Sequence, residues 1–323
     1  MRQTLRRLRP DLLVALGLLA LPLILFASVT LGNQTLLPAD NLFAVEPWRS
    51  AAGLFGPGAA VVPHNKLLDD LVLENYPWKK FIVDSLHAGS LPLWNPYQFA
   101  GLPFLAAGQS SALYPFSAIF YGLPLPRAYG WFTVSQFFLA GLFSYLFLRL
   151  LGFRRASAAL GAVVYELSLF MVVSVVFSMI IAGAAWLPLV LMAIELTVRQ
   201  HPALGARPAT WPWVILGAGA IGMQILAGHV EVVYYTLLIA AAYSAWRLVG
   251  GFLAARQAQM SNRVALTRAA GRAAALLALA TFGIALGAIQ FVPLLELVRH
   301  NFRSGSATYE QITRWAYGWR HAI

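Results

Sequence analysis

Long apolar runs separated by short basic connectors dominate the chain. They can be drawn at 12–31, 128–148, 157–176, 178–198, 211–228, 231–248 and about 273–297, each near the roughly 20 residues that a helix needs to cross a bilayer. This predicts about seven spans. The first run follows Arg2, Arg6, Arg7 and Arg9 and is broken only mildly by Gly17 and Pro22. It exceeds the apolar core of a signal peptide, about 7 to 15 residues, and no clear small-x-small cleavage site follows, so a retained span is expected. The least marked boundary lies between 157–176 and 178–198, where only Phe177, Ser178 and a few small residues separate two apolar stretches.

The connectors set the expected orientation, because cytoplasmic loops collect Lys and Arg. Arg149, Arg154 and Arg155 form one basic group, Arg199 and Arg207 a second, and Arg247, Arg256, Arg263, Arg268 and Arg272 a third, with no acid in any of these connectors. Alternate crossings then place the N-terminus in the cytoplasm and segment 32–127 outside. That segment carries Asp40, Glu46, Asp69, Asp70, Glu74 and Asp84, half of the 12 acidic residues, so acid concentrates where orientation does not demand it. Within it, Lys66–Tyr76 and Pro77–His87 read as two short amphipathic helices, the second with Pro at its first position after Asn75 or Tyr76 as cap. Prolines and glycines from Gly89 to Pro115 predict irregular loop, whose Trp94, Tyr97, Phe99 and Phe104 suit the headgroup level of a membrane. The expected organisation is an all-α transmembrane bundle: 1–31 the cytoplasmic N-terminus and first span, 32–127 the external loop, 128–298 the bundle, 299–323 an external tail.

Composition agrees. With 59% hydrophobic against 11% charged residues, the chain has too little polar surface for a soluble globule, where roughly 25% charged is usual. A net charge of +11 comes from arginines flanking apolar runs, as membrane orientation produces, and does not point to nucleic acid. The absence of cysteine removes disulfides, thiolate metal sites and cysteine nucleophiles.

Several groups could carry chemistry. Asp69 and Asp70, with Lys66 before them and Lys79 and Lys80 one short helix later, could supply a general base beside cations for a phosphate; Lys66 and Asp70 also make an ordinary i,i+4 surface pair. The run LPLWNPYQF offers aromatic faces with Asn95 and Gln98 beside them, suited to sugar rings or to an interfacial aromatic belt. His229 and Glu231 lie at the external end of one span, and Glu296, Arg299, His300 and Arg303 at the external end of the last, so both groups could meet Asp70 or simply anchor helix ends. Glu166 lies within a span and is costly there unless paired. Gly217, Gly219 and Gly222 spell G-x-G-x-x-G with neither a strand before them nor an acid about 20 residues on, so dinucleotide binding is rejected; with Gly283 and Gly287 they read as helix-contact glycines. Metal-ligand spacing, a P-loop and a serine elbow are all absent.

Asp70 followed by Tyr76, Pro77 and Trp78, then LPLWNPYQFAGLPFLAAGQSSALYP, resembles the first external loop of YfhO-type membrane proteins of the GT-C glycosyltransferase superfamily. The similarity continues in Trp186–Pro188, in AGHVEVVYY from Ala227, and in QFVPLLEL from Gln290 with Arg303 beyond. The resemblance implies a GT-C-like bundle in a bacterial cytoplasmic membrane that moves a sugar from a polyprenyl-phosphate donor to a cell-envelope glycan or lipid acceptor. Asp70 takes the place of the catalytic acid, assisted by Asp69, with Lys79, Lys80, Arg299 and Arg303 for the donor phosphate. Tyr76, Trp78, Trp94, Asn95, Tyr97, Gln98, His229, Glu231 and Glu296 then contact sugar or acceptor. No cofactor is required; a divalent cation is compatible with the chemistry but nothing in the spacing demands one. Proteins of this kind are usually longer, so an N-terminal fragment is expected. The competing functions are a transporter or lipid flippase, which would show internal repeats and midplane ion pairs, and a non-catalytic envelope-binding protein.

Overall fold

The computed structural model describes residues 2–55, 64–65, 68–202, 208–300 and 308–313. Its main helices are α1 (Arg2–Leu25), α2 (Tyr76–His87), α3 (Leu125–Leu150), α4 (Arg155–Glu166), α5 (Ser178–Ala184), α6 (Leu187–Arg199), α7 (Trp211–Leu226), α8 (Val230–Gln257), α9 (Asn262–Leu286) and α10 (Ala288–Arg299). Five helical spans among the described residues are long and apolar enough to cross a membrane: Leu125–Leu150, Arg155–Val176, Ser178–Arg199, Val230–Gln257 and Asn262–Leu286.

Four expectations about the spans change. The first run, 12–31, is divided between α1 and a short helix at Ala27–Thr30 and is not among the five. α7 has 16 residues, which at 1.5 Å per residue rise about 24 Å, short of a hydrocarbon core of about 30 Å. The expected last span at about 273–297 is broken: α9 starts at Asn262, capped by the Ser261 hydroxyl, which accepts from the Val264 N–H at 3.4 Å, and ends at Leu286 before α10 begins. α8 likewise runs on to Gln257. The expected basic connector from 249 to 272 is therefore a tight turn between two long helices, and its arginines lie on the helices themselves. The boundary at Phe177 stands, and each span beside it is composite, with α4 followed by the short helices Leu169–Val173 and Ser174–Val176.

α3, α5, α6 and α7 meet in the centre around Phe132, Trp186, Val190, Ile194 and Ile221. α7 lies along α9 at glycine-to-side-chain distance: a Cβ at Gly217 would stand 2.3 Å from Leu279, one at Gly283 2.6 Å from Ile221, and one at Gly287 2.6 Å from Ile225. The helix-contact reading holds for these three glycines and for Gly222, where a Cβ would stand 2.9 Å from Leu286, since only a missing side chain lets the backbones approach so closely; it fails for Gly219, where a Cβ would meet nothing within 4 Å. The outward faces of α8 and α9 expose Leu238, Trp246, Leu253, Leu277 and Phe282, apolar surface that a bilayer would cover.

Basic residues from four parts of the chain are joined at one end of the bundle. Asp11 on α1 accepts from Arg155 at 3.1 Å through both oxygens, takes the Tyr145 hydroxyl at 2.5 Å and lies 3.5 Å from Arg149. Arg199 reaches the Leu150 carbonyl at 3.0 Å and Glu195 at 2.5 Å; the same buried carboxylate holds Arg247 at 2.6 Å and the Tyr243 hydroxyl at 2.9 Å. This shared end is the geometric counterpart of the alternating basic connectors. Glu166 has no such partner among the described residues: it is fully buried, neither carboxylate oxygen is hydrogen-bonded to them, and it packs where Gly141 lacks a side chain.

Candidate functional site

The segment between α1 and α3 builds the other end. The two expected amphipathic helices are instead one helical run, in which a π-turn at Leu71–Asn75 feeds directly into α2. Asn75 is helical and caps nothing. Pro77 lacks an N–H, so the run loses a helical hydrogen bond there, and the widened turn lies directly before it. The extra residue swings Asn75 inward, where it is buried and its Oδ1 accepts from the Tyr129 hydroxyl at 2.8 Å. After α2, the expected irregular loop holds one small hairpin, β1 (Trp94–Asn95) against β2 (Leu102–Pro103), with Trp94 opposite Pro103. Gly101 is obligatory there: its φ is +114°, and a Cβ would meet the Trp94 ring at 2.7 Å.

Segment 105–114 is the keystone between this helix and the bundle. Lys79, fully buried on α2, donates to the Ser110 carbonyl at 2.7 Å. Ser111 Oγ donates to the Ala227 carbonyl at 2.7 Å. Gly228, at φ +94°, presses so closely that a Cβ would meet the Gly108 carbonyl at 2.5 Å. The Tyr114 hydroxyl donates to Gln136 at 2.7 Å and accepts from Trp186 Nε1 at 3.0 Å, while Gln290 Nε2 donates to the Leu105 carbonyl at 2.5 Å. Pieces of sequence far apart in the chain thus close on one loop.

A pocket of about 210 Å³ opens beside it, lined by Asp70, Leu71, Glu74, Asn75 and Trp78 from the helical run, Gln109 from the keystone, Phe177, Met179 and Ile180 from the junction of two spans, and His229 from the start of α8. Two carboxylates, an imidazole and an indole face one another over an apolar floor. Burial, then the neighbouring Asp70 charge, raises the Glu74 carboxyl above its ordinary range; burial lowers the His229 imidazole, partly offset by Glu231. At neutral pH His229 is therefore biased toward its uncharged form. His229 Nδ1 and Asn75 Nδ2 are both buried without a protein partner among the described residues, and such groups call for a ligand or water.

The sequence-derived candidates divide. Asp70, Trp78 and His229 are brought together. Asp69 is half-buried with one oxygen unpartnered and does not line the pocket. Lys79 offers it no cation, because its ammonium is spent on Ser110 and lies 4.7 Å from the centre of the Phe120 ring. Lys80 pairs with Asp84 at 2.8 Å and lines a second pocket with Asn95, Tyr97 and Gln98. Tyr76 packs against the central core. Trp94, Glu231, Glu296 and Arg299 are exposed and line neither pocket. Lys66 and Arg303 lie outside the described residues. Among those residues no group of three or more His, Asp or Glu side chains could hold a metal ion. Glu74 was missed, although Asp70, Glu74 and Trp78 recur at the four-residue interval of one helical face; nothing in the sequence marks Gln109, Met179 or Ile180.

Fold and pocket define a helical membrane protein with an ionisable pocket where its spans meet a long polar segment. Compared with models of protein families, with curated proteins and with solved structures, the chain matches none.

Proposed function

We propose that this chain is a GT-C-type glycosyltransferase of the YfhO kind, which takes a sugar from a polyprenyl-phosphate lipid and passes it to a cell-envelope acceptor outside the cytoplasm. The observation that carries the reading is the pocket itself: Asp70 converges with Glu74, Trp78 and His229, and two buried polar groups there are unspent. The quoted pieces that resemble the family, from the aromatic loop, Trp186, Ala227 and Gln290, also meet at the keystone loop. A lipid donor fits the setting, since nucleotide sugars are not available outside the cytoplasm.

In the proposed reaction Asp70 takes the proton of the acceptor hydroxyl as that oxygen attacks the anomeric carbon. The bond from that carbon to the phosphate oxygen breaks, its electron pair leaves with the phosphate, and the configuration inverts. Trp78 gives the sugar a flat face, and His229 and Asn75 orient hydroxyls. Charge on the departing phosphate falls to Arg299, the last residue of α10, a helix tied to the keystone loop through Gln290, and to Arg303, which lies outside the described residues.

The test is transfer from labelled polyprenyl-phosphate sugars in membranes containing the chain or its Asp70→Asn variant. Loss of at least about a hundredfold in a variant that is still inserted and folded is expected of a general base. Transfer that survives the substitution removes Asp70 from the reaction; absence of transfer with every donor favours the envelope-binding alternative.

A further inference from the structure

The second pocket lies along a different face of the helical run from Asp70, holds about 440 Å³, and has Lys80, Phe81, Asp84, Asn95, Tyr97 and Gln98 in its lining. Its amides are oriented without ambiguity. The Tyr97 backbone N–H can only donate, so the Asn95 atom that meets it at 3.0 Å is the oxygen. Asn95, itself 3% exposed, must then turn its Nδ2 toward Gln98, where Oε1 accepts at 3.1 Å. The Trp78 indole N–H, also a donor only, meets that same oxygen at 2.9 Å. Gln98 Oε1 is therefore occupied twice, and its Nε2 has no protein partner among the described residues. Beside it the Tyr97 side chain is held edge-on to Phe81, with ring centres 6.1 Å apart, yet the residue is 83% exposed. A fixed donor next to a presented aromatic ring, with the Lys80–Asp84 pair on the wall to meet further hydroxyls, is a combination that selects a hydroxylated ring.

We infer that this pocket is a carbohydrate subsite in which a sugar ring lies on Tyr97 and accepts a hydrogen bond from Gln98 Nε2. Its place there as the acceptor's sugar, separated from the transferred one by the Trp78 indole, rests on the transferase reading; the binding itself does not. Trp78 lines the Asp70 pocket while its N–H is held by Gln98, so a ring seated on Gln98 touches the wall of the reacting site.

Saturation-transfer NMR on the detergent-solubilised chain with the methyl glycosides of glucose, galactose and N-acetylglucosamine tests this directly. At least one should receive saturation. Gln98→Glu keeps both accepted hydrogen bonds and removes the donor, and should weaken binding about fivefold, the value of one hydrogen bond near 1 kcal/mol. Tyr97→Ala, at an exposed position, should lower the signal at least as much. Glycoside binding that depends on Gln98 and Tyr97 sustains the subsite even if membranes transfer no sugar. A signal that persists in both variants, or that is lost in Asp70→Asn and retained in Gln98→Glu, overturns it. So does the absence of any signal from a chain that does transfer sugar, which leaves the transferase standing.

Discussion

Lys79 buries a whole ammonium without a carboxylate partner among the described residues, and the cost of doing so can be measured. Its side chain is 0% exposed, its only hydrogen bond among the described residues goes to the Ser110 carbonyl, and burial pushes its pKa from 10.5 down to about 7. Because the folded value lies below the unfolded one, folding expels a proton between those limits and the charged form opposes folding. The penalty is fully present below about pH 7 and fades as pH rises toward 10.5. A difference of about 3.5 pH units corresponds to ~5 kcal/mol, of which ~2.5 kcal/mol is relieved between about pH 6 and 9. Lys79→Met keeps the apolar stem, abolishes this pH-dependent part, and leaves a pH-independent cost of about 1–3 kcal/mol for the orphaned Ser110 carbonyl. Denaturant unfolding in detergent across that pH range, read as the difference between the two chains so that other titrations cancel, should show the natural chain gaining ~2.5 kcal/mol on the variant. A difference that stays flat within about 0.5 kcal/mol refutes a buried ammonium held without a carboxylate.

Two further outcomes follow from the bundle. Arg247→Leu removes two of the hydrogen bonds to the buried Glu195 carboxylate and should lower stability by about 1–3 kcal/mol, because Arg199 and the Tyr243 hydroxyl stay on that carboxylate; denaturant unfolding should show a distinctly larger loss when Arg199→Leu is added, since the charge is then stranded. Gly141→Ala drives a Cβ to 2.4 Å from Glu166 Oε2 and should cost about 1–3 kcal/mol by overpacking; unfolding of the double variant with Glu166→Ala should show that cost largely removed.

The sequence alone was enough for the membrane character, the neighbourhood of the apolar runs and the helix-contact role of Gly217, Gly283 and Gly287, because hydrophobic length and backbone approach are local requirements. Of the many polar and aromatic candidates it offered, Asp70, Trp78 and His229 line one pocket, while Glu74 beside them went unmarked. It misjudged where helices stop. Apolarity does not distinguish a continuous span from one broken at Gly287, and a helix can carry arginines well past the hydrocarbon, as α8 and α9 do.

What only the tertiary structure decided is which polar groups face one another. Lys79 and Lys80 are adjacent in sequence, yet successive helical residues point about 100° apart, so one is sealed under Ser110 while the other pairs with Asp84 in solvent. The π-turn rotates Asn75 inward, a one-residue change of phase with no sequence signature of its own beyond the following Pro77. Gln109 reaches the pocket because Lys79, Ser111 and Gly228 clamp its loop from two sides. Apolar pattern is a property of single segments and can be read along the chain; the pocket is a property of contacts between segments more than 100 residues apart, and those exist only once the chain has packed.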